Sequence, residues 1–112
     1  MSNKLEALKE LREYVDERKH IQFNYIQEKE DGYVSYDALG RIAQTFGVSD
    51  ETLKALDGDE ISSDDLNVIA FAQILIDQGF TREELETIQE LNDTAGSVEE
   101  LIDYIDKLIE ES

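Results

Sequence analysis

Apolar residues recur at helical spacing through most of the chain. Leu5, Leu8, Leu11 and Val15 fall on one stripe of a first helix beginning near Asn3, and Tyr14, Ile21 and Tyr25 lie on a neighbouring stripe. That helix is expected to reach the mid-twenties. Residues 20–36 also admit a β-hairpin, because Ile21, Phe23 and Tyr25 alternate and Asp31-Gly32 is a turn signal. The helix is the preferred reading and the hairpin its alternative.

Capping residues punctuate the rest. Ser35 is expected to open a helix from about Tyr36 to Phe46, and Ser49 a short one from Asp50 to Leu56. Ser62 or Ser63 opens a helix through about Gln78, closed by Gly79. Thr81 with Glu84, and Ser97 with Glu100, have capping-box spacing and start helices at roughly 82–92 and 98–110. The helix beginning near Asp64 is apolar on most sides (Leu66, Val68, Ile69, Phe71, Ile74, Leu75, Ile76), which predicts a place at the centre of the core. The fold class is all-α: a compact bundle of five to six helices containing a helix-turn-helix, with a minimal β-hairpin or wing as the one variant.

Composition narrows the classes. With 112 residues, 40 % of them hydrophobic, the chain can bury a single core as one domain. Its parts are an N-terminal helix (1–28), a helix-turn-helix-like core (33–91) and a C-terminal helix (98–110). The absence of Cys excludes disulfides, thiol nucleophiles and thiolate metal sites. No Pro forces a helix to break. The longest apolar stretch, Val68 to Ile76, falls short of the ~20 residues a bilayer requires. The charged start, MSNKLEALKE, does not resemble a signal peptide, so a cytoplasmic protein is expected.

Charge changes the picture more. The net charge is −18, and its distribution is uneven: −2 over residues 1–32, −7 over 33–80 (two cations against nine anions) and −9 over 81–112. Such a surface repels nucleic acid and anionic membrane and attracts basic protein surfaces. Solubility alone is the competing account of the acidity.

In a helix-turn-helix a small residue sits where two helices cross, glycine makes the turn and apolar residues lock the angle. Ile42-Ala43, then Phe46-Gly47-Val48-Ser49, then Leu53 and Leu56 meet these demands in order. Further on come Ile61-Ser62-Ser63-Asp64-Asp65-Leu66, Ile69, Phe71, Leu75 and Gly79-Phe80-Thr81-Arg82-Glu83-Glu84-Leu85. Residues 33–91 thereby resemble a MerR-type winged helix-turn-helix domain. The resemblance implies DNA binding by the second helix and wing, and a dimerising helix at 98–110. The sequence departs from that pattern at the DNA-facing positions. Where the family carries basic and aromatic residues, this chain reads Lys54-Ala55-Leu56-Asp57-Gly58-Asp59-Glu60, a shortened and acidic wing. Arg41 and Lys54, the only cations of 33–80, cannot supply the phosphate contacts that dominate such affinities.

Other constellations are weaker. Two stretches superficially look like calcium loops, but the ligand positions fall on Gln27, Lys29, Asp31 and Ala38 in one and on Lys54, Leu56, Gly58 and Asp65 in the other. Weak divalent-cation binding by Asp57, Asp59, Asp64 and Asp65 is the most such residues offer; no metal site and no cofactor are expected. Gly79-Phe80 with Leu85, Ile88, Leu91, Val98, Leu101 and Ile105 also looks like a ubiquitin-associated module, a pattern that ordinary packing explains as well. His20 stands among Arg18, Lys19 and Gln22 on a solvated face. No phosphate-binding glycine loop or nucleophile motif is present, and no catalytic residue is assigned.

The expectation is a small non-enzymatic regulatory protein of bacterial or phage type that binds a basic, nucleic-acid-binding protein. Its acidic face (Asp50, Glu51, Asp57, Asp59, Glu60, Asp64 and Asp65) would mimic phosphate charge. The alternative is a MerR-like transcriptional regulator that dimerises through 98–110 and touches DNA with Lys4, Lys9, Arg12, Arg18 and Lys19. A structural or assembly module is the third reading.

Overall fold

The first helix, α1 (Asn3–Arg18), buries Ala7, Leu8, Leu11 and Val15, the stripe expected of it. A computed structural model describes residues 3–18, 24–28, 30, 32–56, 59–94 and 98–111. Beyond α1 the chain does not continue as helix into the mid-twenties. Strand β1 (Ile26–Glu28) pairs antiparallel with β2 (Val34–Tyr36), with Ile26 opposite Tyr36 and Glu28 opposite Val34. The hairpin alternative is therefore the correct one. Two features favour it: Gly32 takes a φ of 85° in the connecting turn, and Tyr25 and Ile26 are buried beside the bundle rather than carried past its end. Ile21 and Phe23, the other residues of that alternation, lie outside the described residues.

The remaining elements are α2 (Ala38–Thr45), α3 (Asp50–Ala55), α4 (Leu66–Asp77), α5 (Arg82–Asp93) and α6 (Val98–Glu111). The fold is all-α with one small hairpin. Ser35 does not cap α2. It is buried within β2 opposite Gln27, and Asp37 takes the cap, its carboxylate accepting the Gly40 N–H at 2.7 Å. An aspartate two residues on can cap the helix while Ser35 stays in the strand pairing. Ser49 caps α3 as expected. The start of α4 lies later than Ser62 or Ser63, because Asp65 is its cap and accepts the Asn67 N–H at 2.8 Å. Ser63 instead holds the preceding turn, accepting the Asp65 N–H at 3.1 Å. Thr81 and Glu84 complete a reciprocal capping box on α5. The box expected at Ser97 lies outside the described residues.

Four helices build the centre: α1 packs on α2 and α6, and α5 on α2 and α6. The apolar stripe of α6 (Leu101, Ile105, Leu108) is thereby buried within the chain, and Arg12 of α1 pairs with Asp106. Helix α4 is not central. It lays Val68, Phe71, Ala72 and Leu75 against α2 and α5, while Leu66 (81 %), Ile69 (40 %) and Ile74 (39 %) stay exposed. Its apolar residues exceed the single stripe that the bundle covers. Among the described residues, no helix is long and apolar enough to cross a membrane.

One buried polar network positions the segment after α3. The Tyr25 ring meets Phe71 edge-on at 5.6 Å, and its hydroxyl donates to the Asp59 carbonyl oxygen at 2.6 Å. Gln89 of α5 donates to the same hydroxyl at 2.9 Å and accepts the Ile61 N–H at 2.7 Å. Hairpin, connector and α5 are tied together, and the buried Ile61 N–H has its partner in Gln89.

Candidate acidic interface

The acidic residues singled out in the sequence occupy three local settings. Asp50 and Glu51 form the first turn of α3, where the Ser49 cap and the positive end of the helix favour carboxylates. Asp59 and Glu60 belong to the connector, and Asp64 and Asp65 precede α4. Asp57 lies outside the described residues.

Asp50 is anchored to another element. The Tyr36 hydroxyl donates to its Oδ1 at 2.9 Å, linking β2 to α3. Burial, joined by the hydrogen bond to Asp50, pushes the Tyr36 phenol up to about 12. Glu51, Asp59, Glu60, Asp64 and Asp65 are exposed. None of these carboxylates is ion-paired to a described cation.

The two cations of the segment are engaged elsewhere. Lys54 donates to Glu28 of β1 at 2.9 Å, a bond that raises its pKa. Arg41 donates to Thr45 at 2.7 Å, lies 3.9 Å from Glu10 and stands 5.6 Å from the centre of the Tyr14 ring. Local charge is therefore left uncompensated along the connector.

The structure divides this surface into two concavities rather than one. Glu51 borders an open hollow of about 430 Å³ between α3 and α4, whose lining includes Thr52, Ala55, Ala70, Phe71 and Ile74. Glu60 borders another, also about 430 Å³, facing α5. There it meets Glu86, Glu90 and Asp93, residues not singled out in the sequence. Their spacing places them on one side of α5, which was the available signal, but an acidic chain offers many such sets. Burial pushes the Asp93 carboxyl up, the Asn92 hydrogen bond opposes this, and repulsion from Glu60 adds to the rise.

Nothing in the site has the geometry of a metal centre: among the described residues no group of three or more His, Asp or Glu side chains is placed to hold an ion. What the arrangement offers chemically is fixed negative charge on a rigid frame, next to an apolar groove.

The cations of α1 are placed differently. Lys4 donates to both Glu84 oxygens at 2.8 and 2.9 Å and lies 5.6 Å from the centre of the Phe80 ring. Arg12 is held by Asp106. Lys9 is exposed. The Arg18 side chain, Lys19 and His20 are outside the described residues.

Comparison with known proteins found no matching family model, no matching curated protein and no matching solved structure.

Proposed function

We propose that this is a small, non-enzymatic, bacterial or phage regulatory protein that works in the cytoplasm by binding another protein. Its acidic face occupies a basic surface that otherwise holds nucleic acid. The observation that carries this reading is the row of exposed carboxylates on α3 and the connector without a described cationic partner, while Lys54 and Arg41 are engaged with other elements. The α2–Gly47–α3 order resembles a helix-turn-helix, yet the position that would meet DNA presents Asp50 and Glu51. Carboxylates held on rigid elements displace the same counterions as phosphate, so such binding weakens steeply with salt.

The test is affinity capture from a bacterial lysate at about 50 mM and about 500 mM salt, followed by mass spectrometry. Nucleic-acid-binding proteins retained only at low salt are expected. A dominant partner held equally at both concentrations overturns the mimicry.

The helix-turn-helix-like order also motivates a second reading, a MerR-like regulator that binds DNA directly. Engagement of Lys4 and Arg12 by acidic partners weighs against it. A gel shift at low salt separates the two: no shift at micromolar protein removes the regulator.

A further inference from the structure

The outer face of α4 is apolar where the fold does not require it. Leu66, Ala70 and Ile74 follow one another at four-residue intervals on that helix, with Ile69 beside them, and all are exposed. Ala70 and Ile74 continue into the α3–α4 hollow, which Phe71 also lines and Ala55 closes from α3. Isolated exposed apolar residues are ordinary, but a row running into a groove is a docking surface.

The surroundings specify what docks there. Glu51 stands on the groove wall, Asp64 and Asp65 precede the first turn of α4, and Asp77 ends the helix. No cation lines the groove among the described residues. An occupant must therefore pair an apolar stripe with basic flanks. A second copy of this chain would bring the same carboxylates together, and an anionic bilayer would be repelled for the same reason. Twelve residues of α4 span about 18 Å at a rise of about 1.5 Å each, which matches roughly three turns of a bound helix. We infer that the outer face of α4, together with the adjoining α3–α4 groove, binds a basic amphipathic helix of a partner protein, with apolar anchors at i, i+3 or i+4, and i+7 seated along Leu66 and Ile69 on that face and Ile74 at the groove. This rests on the reading of the protein as a binder of basic proteins, and adds where and in what form the partner is held.

The probes are two synthetic peptides of identical Leu/Lys composition and helical length. One carries its leucines on a single helical face, and the other has them scrambled. Fluorescence anisotropy measures both against the wild-type chain, the double variant Ile69→Gln/Ile74→Gln, and the control Asp59→Asn/Glu60→Gln. The patterned peptide is expected to bind the wild type about tenfold more tightly than the scrambled one, with that preference lost in the double variant. The control should weaken both peptides alike and keep the preference. Circular dichroism verifies that both variants retain the wild-type helix content, and amide shifts on adding the patterned peptide should centre on Ala55, Ala70 and Ile74. Equal binding of both peptides, unchanged by the double variant, overturns the groove and leaves the acidic-face reading standing. Failure of both peptides to bind at low salt overturns both readings. A dimer in sedimentation that Ile69→Gln/Ile74→Gln dissolves overturns the heterologous partner in favour of a second copy.

Discussion

Gly40 of α2 lies so close to the Tyr25 main chain that a β-carbon there would stand 2.1 Å from the Tyr25 carbonyl oxygen. The neighbour is backbone, and the Asp37 N–H also bonds that oxygen, at 3.3 Å. Neither side can give way without moving α2 or the hairpin. Gly40→Ala should therefore destabilise the fold by about 3 kcal/mol or more and lower Tm by about 10 °C, read by thermal unfolding.

Tyr25→Phe removes the hydroxyl that satisfies the Asp59 carbonyl and Gln89 while keeping the ring against Phe71. The expected cost in a urea titration is about 1–2 kcal/mol, since Gln89 stays buried without that partner. Burial pushes the Tyr25 phenol far up, so the folded state holds its proton where an unfolded tyrosine loses it. This stabilisation is complete below the ordinary tyrosine value and declines as pH rises through it. Ultraviolet titration should show one tyrosine ionising only with unfolding.

Glu84 and Asp93 should respond to acid in opposite directions. Burial alone would raise the Glu84 carboxyl, but the Lys4 ammonium and the Thr81 N–H outweigh it and hold its pKa down. Its contribution is present above the ordinary carboxylate range and is lost as pH falls through the lowered value. Glu84→Gln should cost about 1–2 kcal/mol at neutral pH, with the difference from wild type closing in acid. Asp93 has its pKa raised, so its charged form opposes folding above that value and protonation relieves it. Asp93→Asn should stabilise by about 0.5 kcal/mol at neutral pH and be neutral in acid. Denaturant titrations at several pH values measure both.

A net charge of −18 repels itself within one small fold. Raising NaCl from about 10 mM to about 300 mM shortens the screening length several-fold and should raise Tm. A Tm that falls over this range would mean that the ion pairs outweigh the repulsion.

Local signals in the sequence were legible wherever a short-range interaction decided the outcome. Ser49, the Thr81/Glu84 box and Gly79, at φ 112°, all stand where their chemistry placed them. Ser35 has cap chemistry too, but Asp37, two residues on, serves as the cap while the strand takes the serine. The choice between helix and hairpin beyond Arg18 turned on where Tyr25 could be buried, which spacing alone does not state. The apolar content of α4 does not give its position, because it counts side chains without saying which of them find a partner. Within the candidate interface the carboxylates of α3 and the connector were visible. Their division between two hollows, and the contribution of Glu86, Glu90 and Asp93, depended on the return of α5 beside Glu60.

The connector between α3 and α4 is held by its main chain, the Asp59 carbonyl on Tyr25 and the Ile61 N–H on Gln89, and by the Leu56 and Ile61 side chains sunk into the core. Its path consequently does not depend on which side chains Asp59 and Glu60 carry. Charge at Asp59 and Glu60 is an exchangeable coating over a fixed backbone, unlike that of Asp65, which caps α4. Partner preference can therefore drift or be re-engineered there, one carboxylate at a time, without the fold being renegotiated.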